Sequence, residues 1–197
     1  MLQKSLNEHQ LNKAVSQQNQ ILVGTFDNFS WIRCQGKGSF ANSPQMKKWA
    51  DNHISNGGNC VVIDLESCTG MDSTFMGTMA GIAMRLAKHP NGVLQVTGAS
   101  DKSRTSLEDL GLSMLLEIEP ADAIWQDQIS QIRESLTEPT ETVKVDSTQH
   151  VLDAHKLLCE ADDSNDEKFS TVLDVLEAEL ENRAQKELPK STGKLNS

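Results

Sequence analysis

Residues 60–86 read CVVIDLESCTGMDSTFMGTMAGIAMRL, and this stretch decides the fold. Its first part, Cys60 to Leu65, is a short run of β-branched and apolar residues that ends at Glu66, which is typical of a central parallel strand buried on both faces. A helix should follow, because apolar residues recur from Ser73 onward at spacings of three and four, which places one stripe on the sheet. The stripe consists of Met76, Met79, Ala80, Ala83, Met84 and Ala87.

Asp72 and Ser73 lie at the predicted junction between this strand and this helix. Loops that leave the carboxyl ends of parallel strands are exposed and are held rigidly by the strands, so we expect the Ser73 hydroxyl to be accessible to another protein. The alternative is purely structural. In that case Asp72 or Ser73 only caps the first turn of the helix, which is worth about 1 kcal/mol.

Several ordered motifs in residues 20 to about 135 carry a family resemblance. They are VVIDL at 61–65, MDST at 71–74, LQVTG at 94–98, and a third helix and turn within 107–115. In this order they resemble the STAS domain of bacterial anti-sigma factor antagonists. The resemblance implies that Ser73 is phosphorylated by a partner serine kinase that is also the anti-sigma factor, and that a phosphatase reverses the modification.

The resemblance also implies a fold and an interface. The expected fold is an α/β, STAS-like (SpoIIaa-like) layered fold in which helices pack a mixed central sheet. The expected partner interface surrounds Ser73 and consists of Asp72, Thr74, Phe75, Met76 and Ser39. Within it, we expect Phe75 or Met76 to make exposed partner contacts, whereas Met79 and Met84 should lie inside.

Two positions depart from the family pattern. Many members have a glycine two residues after the phosphorylated serine, where this chain has Phe75, so the entrance to the helix is bulkier. Members also often carry an acidic turn after the second strand, where this chain reads Gly36-Lys37-Gly38-Ser39. Both departures indicate that the partner surface differs from that of other members.

Local patterns predict the other elements of the domain, which we place at 20–136. They are a hairpin (21–26 and 30–35), a helix capped by Ser43 that stops before Gly57, a strand (93–97), a helix (102–110), a strand (114–118) and a helix from Pro120 to Leu136. We expect a polar N-terminal segment at 1–19, an acidic helical extension at 137–188 and a disordered tail at 189–197.

The extension is predicted to be a helical hairpin interrupted at 162–166. Its first helix carries Val151, Leu152, His155 and Leu158 on one face, and its second carries Phe169, Val172, Leu173, Leu176 and Leu180. An isolated pair of such helices is barely stable, so the apolar stripe must pack on the α/β domain, on a second copy in a homodimer or on a partner. We favour the first two, with His155 as a half-buried residue that fills a helix interface.

Composition excludes several classes of function. The net charge is −10, of which −7 falls in residues 138–197, and this balance opposes nucleic-acid binding. No apolar run is long enough for a membrane span, and the polar N-terminus shows no signal peptide, so we expect a cytoplasmic bacterial protein. The cysteines show no framework or zinc spacing and are expected to be reduced. We therefore expect no cofactor and no metal.

Catalysis also has little support in the sequence, because no histidine lies near Ser73 to make it a nucleophile. Two functions remain. The first is an anti-sigma factor antagonist-like regulator that binds an anti-sigma factor and serine kinase when unphosphorylated and is released by phosphorylation on Ser73. The alternative is an unphosphorylated STAS scaffold or assembly subunit that uses its C-terminal helices for oligomer or partner contacts.

Overall fold

The computed structural model describes residues 19–187, which form a six-stranded mixed sheet and six α-helices. The predicted N-terminal segment, except for its last residue, and the predicted disordered tail lie outside this range. The strands are β1 (Gln20–Thr25), β2 (Ser30–Gly38), β3 (Cys60–Asp64), β4 (Cys68–Met71), β5 (Val93–Thr97) and β6 (Glu117–Ile118). The helices are α1 (Ser43–Ser55), α2 (Ser73–Leu86), α3 (Asp101–Glu108), α4 (Ile129–Ser135), α5 (Ser147–Ala161) and α6 (Ser164–Glu187).

The strand order is β1-β2-β3-β5-β6, and β4 pairs with the far end of β2. Strands β1 and β2 form the predicted antiparallel hairpin, whereas β2, β3, β5 and β6 run parallel. Strand β3 is central. Because Val61, Val62 and Ile63 are all fully buried, the prediction of a strand covered on both faces is confirmed.

Each face of the sheet has its own apolar core. On one face, α1 and α2 contribute Met46, Ile54, Met79, Ile82 and Leu86 to the main core. On the other face, a smaller core packs Trp31 of β2 against Trp125, with the two rings edge to face at 5.2 Å. The segment between β6 and α4 packs on this second face of the sheet.

Three predicted elements differ from the structure. Strand β4 was missed, because Cys68-Thr69-Gly70-Met71 is short and has no apolar run. The predicted strand 114–118 shrinks to β6, since residues 112–114 form a 3₁₀ turn. The predicted helix from Pro120 is regular only over α4, and the residues before α4 instead place Trp125 in the second core.

The C-terminal extension is a helical hairpin, in agreement with the sequence pattern. Helix α5 packs on α2, and α6 packs on α5. The turn between them is fastened to the α/β domain by the fully buried Asn165, whose Nδ2 donates to the carbonyls of Leu110 at 3.1 Å and Leu158 at 2.8 Å. The hairpin is therefore part of the folded chain.

Between residues 19 and 187, none of the helices combines the length and the apolar character that crossing a membrane requires.

Candidate functional site

Asp72 is the residue that caps α2, which settles the choice between Asp72 and Ser73. Its Oδ1 accepts a hydrogen bond from the backbone N–H of Phe75 at 2.9 Å, as an N-cap side chain does. Its Oδ2 accepts from the backbone N–H of Phe40 at 3.0 Å, in the loop before α1. Both carboxylate oxygens are thus engaged, and the junction between β4 and α2 is held in one conformation.

Ser73 is the first residue of α2, and its side chain points away from the sheet toward the C-terminal hairpin. Its Oγ lies 2.8 Å from Nε2 of His155 on α5. Ser73 is half-buried as a result. The hydroxyl is therefore less accessible than predicted, because a helix beyond the predicted domain partly covers it.

The second ring nitrogen of His155 sets the direction of the hydrogen bond to Ser73. Nδ1 lies 2.7 Å from the carbonyl oxygen of Val151, which can only accept, so Nδ1 carries a hydrogen. In the neutral imidazole, Nε2 is then the acceptor, and the Ser73 hydroxyl donates to it. The ring is only 4% exposed and packs edge to face on Phe169 of α6. His155 fills a helix interface, which confirms the prediction for this residue.

Three residues predicted to form the partner interface are buried. Phe75 is fully buried, Met76 is 7% exposed and Thr74 is 4% exposed, so the expectation that Phe75 or Met76 is exposed is wrong in this conformation. A Cβ atom on Gly38 would lie 2.9 Å from the Phe75 ring, so the missing side chain at Gly38 makes room for the bulky residue. Met79 is fully buried, as predicted, and Met84 is half-buried.

Helix α2 is covered on two sides, which explains the burial of its first turn. One side packs on the sheet and the other meets α5. A Cβ atom on Gly77 would lie 2.1 Å from the carbonyl oxygen of Ala154, and one on Gly81 would lie 2.7 Å from Leu157. The two glycines form a shallow groove on α2 in which the backbone of α5 lies.

A second serine and histidine pair joins α5 to α1. The Oγ of Ser43 lies 2.7 Å from Nε2 of His150, and both residues are buried. Ser43 was predicted to be the N-cap of α1, but Asn42 occupies that position and the Ser43 side chain bonds His150 instead. Burial lowers the pKa of His150, so the neutral imidazole is favoured.

The loop before α1 forms the open rim of the site. Ser39, a predicted interface residue, is half-buried, and its backbone N–H donates to Oδ1 of Asn42 at 2.8 Å. Its neighbour Phe40 is 51% exposed and is bonded through its backbone to Asp72. Phe40 was missed by the sequence analysis. It is an exposed aromatic residue beside Ser73, of the kind that protein interfaces favour.

The statement that no histidine lies near Ser73 holds only along the sequence, since His155 contacts it in the fold. A serine that donates to a neutral imidazole also occurs in hydrolytic sites, where a further acidic group orients the histidine. Here a backbone carbonyl orients the ring, and the pair is enclosed between α2 and α5. Within residues 19–187, no group of three or more His, Cys, Asp or Glu side chains could hold a metal ion.

The sequence contained a signal for the covering helix. No charged residue occurs between Asp72 and Arg85, so α2 is apolar or small around its whole circumference rather than along one stripe. A helix of this kind is buried on all sides. The pattern therefore indicated that a second element packs on α2, although it did not identify α5 as that element.

Comparison with known proteins places this chain in a family. The family model of the STAS domain matches residues 20–123, which is more than half of the chain. No curated protein sequence matches the chain significantly.

Several solved structures are similar to this chain at low sequence identity. The unphosphorylated anti-sigma factor antagonist SpoIIAA is 18% identical over 57% of this chain and 96% of its own, with a TM-score of 0.44. The phosphorylated form of the Bacillus cell fate determinant SpoIIAA is 17% identical over 57% and 99%, with a TM-score of 0.45. An anti-sigma factor antagonist from Mycobacterium paratuberculosis is 18% identical over 57% and 92%, with a TM-score of 0.46. On the strength of the family match, this chain belongs to the STAS domain family.

Proposed function

We propose that this protein is an anti-sigma factor antagonist-like regulator with Ser73 as its switch. Its unphosphorylated form binds an anti-sigma factor that is also a serine kinase, and phosphorylation of Ser73 by that kinase releases it. A phosphatase restores the binding form. The observation that carries this proposal is that Ser73 begins α2 on the outer side of the α/β domain and bonds a group outside that domain.

The rigid support of Ser73 favours a switch that acts through charge. A phosphate group adds roughly −1.5 to −2 charges at pH 7. The N-terminus of α2 would stabilise this charge by about 0.3–1 kcal/mol, but the adjacent Asp72 carboxylate repels it. Because both Asp72 oxygens are already bonded, the domain itself has little reason to rearrange. The cost falls on an interface shaped for a neutral hydroxyl, and a change of ~3 kcal/mol there is more than a hundredfold in affinity.

The proposed partner surface consists of Ser73, Asp72, Thr74, Phe75, Met76 and Ser39, with Phe40 added from the structure. Phe75 supports this surface from beneath, because its ring is enclosed against Gly38. Thr74 and Met76 would become available only with a change in the cover of α2. The rim residues Ser39 and Phe40 are accessible already.

The direct test is phosphorylation of the purified full chain by a recombinant anti-sigma serine kinase encoded in the same genome, mapped by mass spectrometry. Ser73→Ala should abolish labelling and keep kinase binding, and Ser73→Asp should weaken binding. Ser39→Ala is the matched control, since it removes a hydroxyl from the rim of the same site, and it should be labelled like the natural chain. Labelling that persists in Ser73→Ala would reject Ser73 as the switch.

One observation favours the alternative of a scaffold or assembly subunit. Helix α6 keeps apolar residues on its outer side, where Val175 is 61% exposed and Val172 is 39% exposed. These residues could join a second copy or another partner. Val172→Lys combined with Val175→Lys should then reduce the mass measured by light scattering, whereas an unchanged mass would remove this support.

A further inference from the structure

The fit between α2 and α5 is closer than ordinary helix packing. At Gly77, the three heavy atoms nearest to an added Cβ all belong to Ala154, and the nearest is a backbone oxygen. At Gly81, the nearest atoms all belong to Leu157. Glycine within a helix is less favourable than alanine by roughly 1 kcal/mol, so two glycines in one helix need a reason. The contact with α5 supplies that reason at both positions.

Two hydrogen bonds, one buried and one partly buried, hold α5 in register on this surface. His150 bonds Ser43 at the start of α1, and His155 bonds Ser73 at the start of α2. The two histidines are five residues apart on α5 and reach the first residues of two different helices. Since Ser73 is one of these two anchors, the position of α5 depends directly on the proposed switch.

The linker before the hairpin does not tie the start of α5 to the sheet. Residues 138–146 join α4 to α5 without regular secondary structure, and most of them are exposed. Part of this linker lies along α1, where Nε2 of Gln45 donates to the carbonyl of Glu141 at 3.2 Å. Departure of α5 would therefore break no strand pairing, but it would withdraw Leu158 from the main core and strain or break the bond of Asn165 to the Leu110 carbonyl.

We infer that α5 covers the partner-binding face of α2 within the same molecule, and that the kinase partner of the proposed function reaches Ser73 only after α5 undocks. This inference rests on the proposed function, because it concerns access to the same face. Ala154 and Leu157 fill the groove and His155 bonds the switch residue, so α5 stands where the partner must contact α2. The face is built to receive a helix that presents a small residue at the crossing point with Gly77.

The inference has a quantitative consequence. The apparent affinity of a protein for its partner falls by the fraction of molecules that are competent to bind. If α5 is undocked in roughly 1–10% of molecules, the kinase would bind roughly 10–100 times more weakly than it binds the open form. A substitution that opens the face should recover that factor without touching Ser73.

The test uses full-length variants that act from the α5 side. Ala154→Glu places a charge in the groove and should undock α5. His155→Ala should undock α5 to a smaller extent. Gln149→Glu adds the same charge at an exposed position of the same helix and is the matched control. Amide exchange measured without any partner should become faster in α5 and in the first turn of α2 for both variants, while β3 stays protected, and the control should be unchanged. Unchanged exchange in both variants would overturn the inference.

The second measurement uses the recombinant kinase with ATP. Phosphorylation of Ser73 should be at least roughly tenfold faster in Ala154→Glu than in the natural chain or in Gln149→Glu. If the opened variant and the natural chain bind and react equally, α5 is no competitor, although the proposed function stands. If the kinase neither binds nor phosphorylates any of them, the proposed function fails, and the inference fails with it.

Discussion

The Ser73 hydroxyl is hydrogen-bonded to a side chain that lies 82 residues further along the chain. His155 in turn is oriented by the carbonyl of Val151 and supported by the ring of Phe169. This arrangement gives His155 a positioning role. It fixes α5 over Ser73, and it leaves the hydroxyl with a satisfied partner although it is half-buried.

Removal of the imidazole should therefore loosen α5. We expect His155→Ala to leave the Ser73 hydroxyl without its acceptor and to open space beside Phe169, which together should cost about 1–3 kcal/mol. Urea unfolding followed by circular dichroism measures this loss. His89→Ala, an exposed histidine, should change stability by less than about 0.5 kcal/mol. Equal effects of the two substitutions would contradict the role given to His155.

The carboxylate of Asp64 lies between two arginines. It is fully buried and accepts hydrogen bonds from Arg33 at 2.9 Å and from Arg133 at 2.8 and 2.9 Å. Asp64→Ala would remove the buried anion between two arginines and leave them only the partly exposed Glu66, so we expect a loss of about 3–5 kcal/mol in the free energy of unfolding. The control is Glu66→Ala, because that partly exposed carboxylate contacts the same arginines and should cost no more than about 1 kcal/mol. Similar urea midpoints for the two variants would refute this assignment.

At the scale of elements, α5 covers the face of α2 that the sequence pattern predicted to be exposed. The pattern placed one apolar stripe of α2 on the sheet, which is correct for Met79 and its neighbours. It assigned the opposite side of α2 to partner contacts, whereas Gly77 and Gly81 on that side contact α5. Helix α2 is thus shared between the domain core and the hairpin.

Gly77→Ala tests this close approach. The substitution would raise helix propensity by roughly 1 kcal/mol in an isolated helix. Here the new methyl group would meet the carbonyl oxygen of Ala154, so we expect α5 to be displaced and the amides of α5 to exchange faster. Gly70→Ala in β4 is the control, since nothing lies within 4 Å of an added Cβ there. Protection of α5 that is unchanged in Gly77→Ala would rule out the packing described.

The docking of α5 should also depend on pH through His150. Burial lowers its pKa in the folded chain below the ordinary value of about 6.5, although Asp153 and Asp72 oppose this shift and Lys47 reinforces it. The unfolded state then binds more protons than the folded state as the pH falls. The contribution of His150 to stability is therefore constant above about pH 6.5 and is lost as the pH falls below it.

The measurement is the difference in urea midpoint between about pH 7.5 and about pH 5.5. His150→Gln should lose this part of the pH dependence. His89→Gln should retain this pH dependence, because His89 is exposed and lies just beyond the C-terminal end of α2. A pH dependence that is identical in the two variants would remove His150 as its source.

At the scale of the whole molecule, local patterns were sufficient for the α/β domain and for the existence of the hairpin. The apolar run of β3, the MDST junction and the stripe of α5 each depend on neighbouring residues, so periodicity shows them. The pairing of Ser73 with His155 and the packing of Trp125 on Trp31 join distant segments, and no local pattern contains that information. Strand β4 was missed for a related reason, since it pairs with the far end of β2, which lies in a distant part of the sequence.

The linker of residues 138–146 gives the hairpin a property that a separate inhibitor would lack. A helix tethered by nine residues remains at an effective concentration on the order of millimolar around its own binding site, however dilute the protein is. In the mechanism that we infer, the strength of competition by α5 is then fixed within each molecule and does not vary with expression level. In that mechanism the same tether returns α5 to its groove once a kinase partner dissociates, so the closed form resets without any second protein.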